Sequence, residues 1–306
     1  MTVIKPKKIE TGDSIGVVAP SRYVHDFEKK INKGAKVLEA MGFNIVFGKN
    51  FKKRFFNSAG KIIERADDIN EMFANKKIKA IICAVGGDSA NQILEHINYG
   101  LIRENPKVII GFSDITTLLL GIFHKASLIT FHGPNLKDFN NLTIESKFFL
   151  NSLLFESKET PCSYPGKIEV IKHGKASGRL VGGNLFVINS LISSKFIPKL
   201  EKSILFWEDI DEDLSSIEFQ LYQLKLSGMI DKISGMIIGN VIRNPKNKTR
   251  PLKDIVLDIT KNLNIPIIKV DYFGHGVRNF YIFPIGGEAY INTKSKEFKL
   301  TNPVVC

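Results

Sequence analysis

Along the first half of the chain, short apolar runs alternate with longer segments whose apolar residues recur every three or four positions. The runs predict strands over 15–19, 44–47, 80–85, 108–112 and 128–131. The helical spacing predicts helices over 27–41, 61–74, 90–97 and 114–125, the first of them closed by Gly42. Strands and helices alternating at these lengths imply a parallel sheet covered on both faces. In such sheets ligands bind beyond the carboxyl ends of the strands. Two short turns fall at that edge: Gly86-Gly87-Asp88-Ser89 and Gly111-Phe112-Ser113-Asp114.

The pattern breaks over 156–167, where two prolines and a glycine among polar residues read as a linker. It resumes with a strand over 168–171, Gly182-Gly183-Asn184 opening an apolar helix, a strand over 204–207 and a helix over 216–226. Ser215 and Glu218 have capping-box spacing at the start of that helix, and Gly228 ends it. Its residues Ile217, Leu221 and Leu224 form one core-facing stripe. A strand over 236–241, a helix near 252–263 and a strand over 267–270 follow. The expected organisation is α/β throughout: an amino-terminal parallel-sheet domain over 1–155, a linker over 156–167, and a mixed α/β domain over 168–306.

Composition narrows the picture. A chain of 306 residues is long enough for two domains that each bury a core. The start, Met1 to Lys8, has no apolar run of the signal-peptide kind, and no stretch approaches the roughly 18 apolar residues of a membrane span. A cytoplasmic location without a membrane partner is therefore expected. Cys83, Cys162 and Cys306 are too few and too scattered for a disulfide framework or a zinc site, and Cys83 reads as a small core residue. The net charge is +12, from 43 Lys and Arg against 31 Asp and Glu. The basic residues are spread along the chain rather than gathered in an arginine-rich patch with aromatics, so nucleic acid is not the expected partner. The excess charge reads chiefly as general surface charge, with a lesser share in attracting an anionic substrate. Asp209, Asp211 and Asp213 alternate like a calcium loop, but Leu214 and Gln220 stand where that loop needs glycine and glutamate. Neither a metal nor a cofactor is implied.

The candidate chemistry begins at Ser113. It follows an apolar strand and precedes a helix, a place where backbone N–H groups can receive a developing oxyanion. Gly-Phe-Ser-Asp lacks the second glycine of the G-x-S-x-G elbow, and a serine or Asp114 could equally cap the helix. A base is needed as well. His275 lies in Gly274-His275-Gly276, a turn after a strand whose glycines let the backbone bend and leave the ring free. His132, in Phe131-His132-Gly133-Pro134, has a similar setting and is the alternative base. A carboxylate that orients the imidazole is available at Glu208, at the end of the apolar run 204–207.

Together, and in this order, Gly111-Phe112-Ser113-Asp114, Leu205-Phe206-Trp207-Glu208-Asp209 and Gly274-His275-Gly276 resemble the LD-carboxypeptidase family of serine peptidases, which includes the microcin C immunity proteins. Gly12 to Ser21, Gly86-Gly87, Gly182-Gly183-Asn184-Leu185 and Pro284-Ile285-Gly286 extend the likeness along the chain. The resemblance implies Ser113 as nucleophile, His275 as general base and Glu208 as its orienter. It also implies a flavodoxin-like amino-terminal domain, a smaller carboxyl-terminal domain, an active site at their interface and a homodimer. For such chemistry the backbone N–H groups of Asp114 and Gly87 are the expected oxyanion donors. Two substrates are open: a muropeptide tetrapeptide that loses its terminal D-alanine, favoured here, or a peptidyl-nucleotide of the immunity type. A ligand-binding protein without chemistry is the remote alternative.

Overall fold

A computed structural model describes residues 2–155, 162–243 and 250–306. Half of the expected linker, 156–161, lies outside them. The first five strands are β1 (Ser14–Val18), β2 (Asn44–Phe47), β3 (Ile78–Cys83), β4 (Val108–Gly111) and β5 (Thr130–His132). Next come β6 (Cys162–Ser163), β7 (Ile168–Lys172), β8 (Lys175–Asn184), β9 (Ile204–Glu212), β10 (Gly235–Arg243) and β11 (Ile267–Val270). The last three are β12 (Phe283–Ile285), β13 (Glu288–Asn292) and β14 (Glu297–Leu300).

In the first sheet the order is β12-β5-β4-β3-β1-β2, and β2-β1-β3-β4-β5 are mutually parallel. That is the flavodoxin-like order the resemblance implied. Every residue of β4 is buried, as expected for a strand packed on both faces. Cys83 is buried in β3 as a core residue, its thiol pushed far above the ordinary range by burial. The second sheet runs β6-β14-β13-β8-β9-β10-β11-β7, with a parallel centre, β8 to β11, flanked by antiparallel strands.

The two sheets are joined by more than a linker. β12 comes from the second half of the sequence yet pairs antiparallel with β5, Phe283 opposite His132. Its Phe283 packs on Phe273 and Phe206 of the second half, at ring-centroid distances of 4.2 and 5.1 Å. The chain ends return together, since Lys8 N–H donates to the Cys306 carbonyl and Cys306 N–H to that of Pro6, both at 2.9 Å. The halves therefore share one continuous apolar core.

Local details depart from the sequence pattern where a side chain competes for the backbone. Over Ala90–His96 the helix is 3-10 rather than α, and at its start the N–H groups of Ser89 and Ala90 are held by the Asp114 carboxylate at 2.9 and 2.8 Å. The helix expected over 216–226 starts earlier, as Leu214–Leu226, and its cap is Asp213, whose carboxylate accepts from Ser216 N–H at 2.8 Å. Among the described residues no helix is long and apolar enough to cross a membrane.

Candidate active site

Ser113 leaves β4 through a turn in which its own backbone takes φ 66°, a left-handed conformation that costs a non-glycine residue about 1–2 kcal/mol. The 3-10 turn Ser113–Ile115 and the helix Thr116–Ala126 follow directly. Facing Ser113 is the Gly86-Gly87 turn at the end of β3. A Cβ at Gly86 would stand 3.0 Å from Ser113 Cβ and 3.2 Å from its Oγ, a tight fit that would push the serine back by a few tenths of an ångström. Gly87, at φ 153°, is equally confined, with Ser21 Oγ 2.3 Å from where a Cβ would lie.

Asp114 does not cap the helix. Its buried carboxylate accepts from Ser21 Oγ at 2.5 Å and from Ser89 and Ala90 N–H, and so ties the end of β1 to the loop after β3. Burial pushes this carboxyl up, while those three hydrogen bonds hold it down. Arg65, buried beside it, donates to the carbonyls of Pro20 and Ser89 and to Gln92 Oε1. The sequence pattern gave no sign of this polar anchor, because its members come from four separate elements.

Glu208 and His275 meet across the second sheet. Glu208 is wholly buried on β9, mid-strand rather than at a strand end. Beside it the pairing with β10 slips: Trp207 lies opposite Ile238, but Asp209 lies opposite Val241. Glu208 Oε2 accepts from His275 N–H at 3.0 Å and contacts its Nδ1 at 2.7 Å. Its Oε1 accepts from Asn184 Nδ2 at 3.2 Å. Burial by itself would raise this carboxyl; its hydrogen bonds with His275 and the electrostatic pull of the two nearby imidazoles outweigh it and hold Glu208 below its ordinary range. Asn184 also caps the helix Leu185–Ser190 through Val187 N–H, and its own N–H donates to Thr116 Oγ1 at 3.1 Å. One asparagine thus couples the Glu208 carboxylate to the helix that begins after Ser113.

The His275 loop is held from both sides. Gly274, at φ 98°, has no room for a Cβ, which would stand 2.6 Å from Glu208 Cβ, and Asn240 Nδ2 donates to the His275 carbonyl at 2.6 Å. With Nδ1 engaged by Glu208, Nε2 is the ring nitrogen left for proton transfer. The ring packs on Phe112, centroids 4.8 Å apart, and so lies beside the residue that precedes Ser113. Among the described residues no hydrogen bond joins Ser113 Oγ to Nε2; unliganded sites are often loose at this contact.

His132 is unsuited to the alternative role. It is wholly buried among Phe112, Phe206, Phe273 and Phe280, at centroid distances from 5.6 to 6.1 Å, and neither ring nitrogen has a hydrogen-bond partner among the described residues. Burial pushes its imidazole from 6.5 down to about 4, against the pull of Glu208 and aided by His275. The folded state therefore binds this proton less readily than the unfolded chain does. Stability is complete above about pH 6.5 and is lost as the pH falls towards 4. We expect urea midpoints to drop through that window, and to drop less in His132→Leu; parallel curves for the two proteins would refute the assignment.

No group of acidic, histidine or cysteine side chains among the described residues has the makings of a metal site. What the arrangement offers is a strained serine on one sheet and a carboxylate-held imidazole on the other.

Comparison with known proteins agrees with this layout. Residues 15–133 match the model of the LD-carboxypeptidase N-terminal domain and 177–291 that of the C-terminal domain. The probable murein peptide carboxypeptidase of Bacillus subtilis is 33% identical, covering 95% of this chain and 92% of its own length. The microcin C7 self-immunity protein MccF of Escherichia coli is 30% identical over 96% of this chain and 94% of its own. A solved structure of MccF in complex with glutamyl sulfamoyl guanosine covers 99% of both chains at 26% identity, with a TM-score of 0.92. With both domains matched, in order and over nearly the full length, this chain belongs to the LD-carboxypeptidase family of serine peptidases.

Proposed function

We propose that this enzyme hydrolyses the bond to a terminal D-alanine in muropeptide tetrapeptides, with Ser113, His275 and Glu208 as its catalytic triad. The observation that carries the triad is the buried Glu208–His275 pair, its imidazole packed on Phe112 next to a serine in left-handed conformation. In the first half-reaction Ser113 Oγ attacks the scissile carbonyl while His275 Nε2 takes the hydroxyl proton. The oxyanion is received by the N–H groups of Asp114 and Gly87. Asp114 stands in the first turn of its helix, where no intrahelical carbonyl can claim its N–H. His275 passes the proton to the departing amine, D-alanine leaves, and the tripeptide remains as an ester on Ser113. Water then attacks that ester with His275 again as base, freeing the tripeptide and restoring the hydroxyl.

The substrate class rests on the likeness to the murein peptide carboxypeptidase and on Trp207, the chain's one tryptophan. Its indole is wholly buried on β9 and offers no stacking surface to a nucleobase. A second reading, cleavage of a peptidyl-nucleotide, is favoured by the close structural likeness to MccF. A side-by-side assay separates them, using L-lysyl- and diaminopimelyl-D-alanine tetrapeptides against a peptidyl-adenylate. We expect release of D-alanine with kcat/KM about 100-fold or more above that for the adenylate. Release of nucleotide alone would transfer the assignment to the second reading. The family resemblance also supports a homodimer, in a cytoplasmic setting, acting without a cofactor.

A further inference from the structure

A carboxypeptidase must recognise the free carboxylate at the end of its substrate, and one cation beside the candidate site is free to do so. Arg22 follows β1, and its N–H donates to the Gly86 carbonyl at 3.3 Å, while Ser58 bridges it from the other side. Its stem lies against the same two glycines that Ser113 faces. A Cβ on Gly87 would stand 2.8 Å from Arg22 Cβ, just as one on Gly86 would stand 3.0 Å from Ser113 Cβ. Arg22 and Ser113 therefore both border the Gly86-Gly87 turn, with Arg22 held by its backbone and its side chain exposed.

The head group of Arg22 is largely uncommitted. Its guanidinium carbon lies 6.0 Å from the Tyr23 ring centroid and 5.9 Å from that of Phe27, a loose fit over two aromatic faces. Among the described residues its side chain has neither a hydrogen bond nor an acidic partner; the nearby Asp26 accepts from Tyr23 Oη instead, at 2.9 Å. Two other cations near the same aromatic rings are occupied. Arg54 stacks on Tyr23 at 4.2 Å and donates to the Phe56 carbonyl, and Lys137 is paired with Asp138 at 2.8 Å. The α-carboxylate of a leaving residue lies about one residue, roughly 3.8 Å, beyond the scissile carbonyl. A guanidinium can take both oxygens of a carboxylate at once.

We propose that Arg22 binds the terminal carboxylate of the peptide substrate and so makes the site selective for chain ends. This rests on the muropeptide reading above. The test compares wild type, Arg22→Gln, Arg22→Lys and Arg54→Gln on two D-alanine tetrapeptides, one with a free terminal carboxylate and one with a terminal amide. In Arg22→Gln, KM for the free acid should rise about 30- to 100-fold, while kcat/KM for the amide stays within about threefold of wild type. Arg22→Lys should recover part of the loss, and Arg54→Gln should change neither substrate appreciably. An unmoved KM for the acid in Arg22→Gln, or equal losses on acid and amide, would overturn the inference and leave the muropeptide reading standing. Failure of the wild-type enzyme to cleave the acid would overturn that reading, and this inference with it.

Discussion

Replacing Ser113 by alanine should lower kcat by about 10⁴- to 10⁶-fold without unfolding the protein, because it removes the oxygen of the proposed nucleophile. Ser113 is half-buried and its hydroxyl makes no hydrogen bond among the described residues, so its loss leaves no buried group unsatisfied. The backbone supplies a second, opposite readout. At φ 66° a serine or alanine pays for its Cβ, whereas glycine does not. Ser113→Gly should therefore be as inactive as Ser113→Ala and yet more stable than wild type by about 1 kcal/mol. Steady-state assays with denaturant unfolding of the three proteins check both halves. Residual activity above about 1% of wild type in Ser113→Ala would remove the serine from the mechanism.

The second large effect is expected at Glu208, and it comes from charge and from hydrogen-bond polarity together. Oε2 accepts from the His275 N–H and from its Nδ1, and Oε1 accepts from Asn184 Nδ2. In Glu208→Gln the amide nitrogen must take one of these two places, and in either orientation it turns a donor towards a donor. With the nitrogen towards His275, the ring is driven to the tautomer that presents the wrong nitrogen to Ser113. With it towards Asn184, the ring keeps its tautomer but loses the negative charge that stabilises imidazolium. We expect kcat to fall about 10⁴-fold, with a stability loss of about 1–3 kcal/mol for the mismatched buried group. Glu208→Gln combined with His275→Ala should be hardly slower than His275→Ala alone, since the carboxylate acts only through the imidazole. Additive losses in the double variant would mean that Glu208 acts on the substrate by some other route.

These expectations draw unequally on sequence and structure. The flavodoxin-like strands were legible because fully buried parallel strands are continuous apolar runs, as in β4, and the runs are local. The position of Ser113, after such a run and before a helix, was legible for the same reason. Less visible was β8, which the pattern showed only as the two glycines before a helix. Its first residues alternate in exposure and carry no apolar run. Ser215 offered a capping spacing, but Asp213 took the cap because its carboxylate reaches the free N–H of Ser216.

What the sequence by itself determined was the alternation of strands and helices in the first half, the turns at their ends and two candidates for a base, His275 first and His132 as the alternative. Hydrophobic periodicity and turn chemistry act over a few residues, and both histidines follow an apolar run, beside glycine. The tertiary structure gives the two different surroundings. The antiparallel pairing of β12 with β5 and the packing of Phe206, Phe273 and Phe280 seal His132 in an apolar cage that disfavours its charged form. The slip between β9 and β10, with the room left by Gly274, sets the His275 backbone and ring on the Glu208 carboxylate, 67 residues away in the chain. Contacts of that sequence separation depend on strand register and on which sheet a strand joins, and no local pattern encodes either.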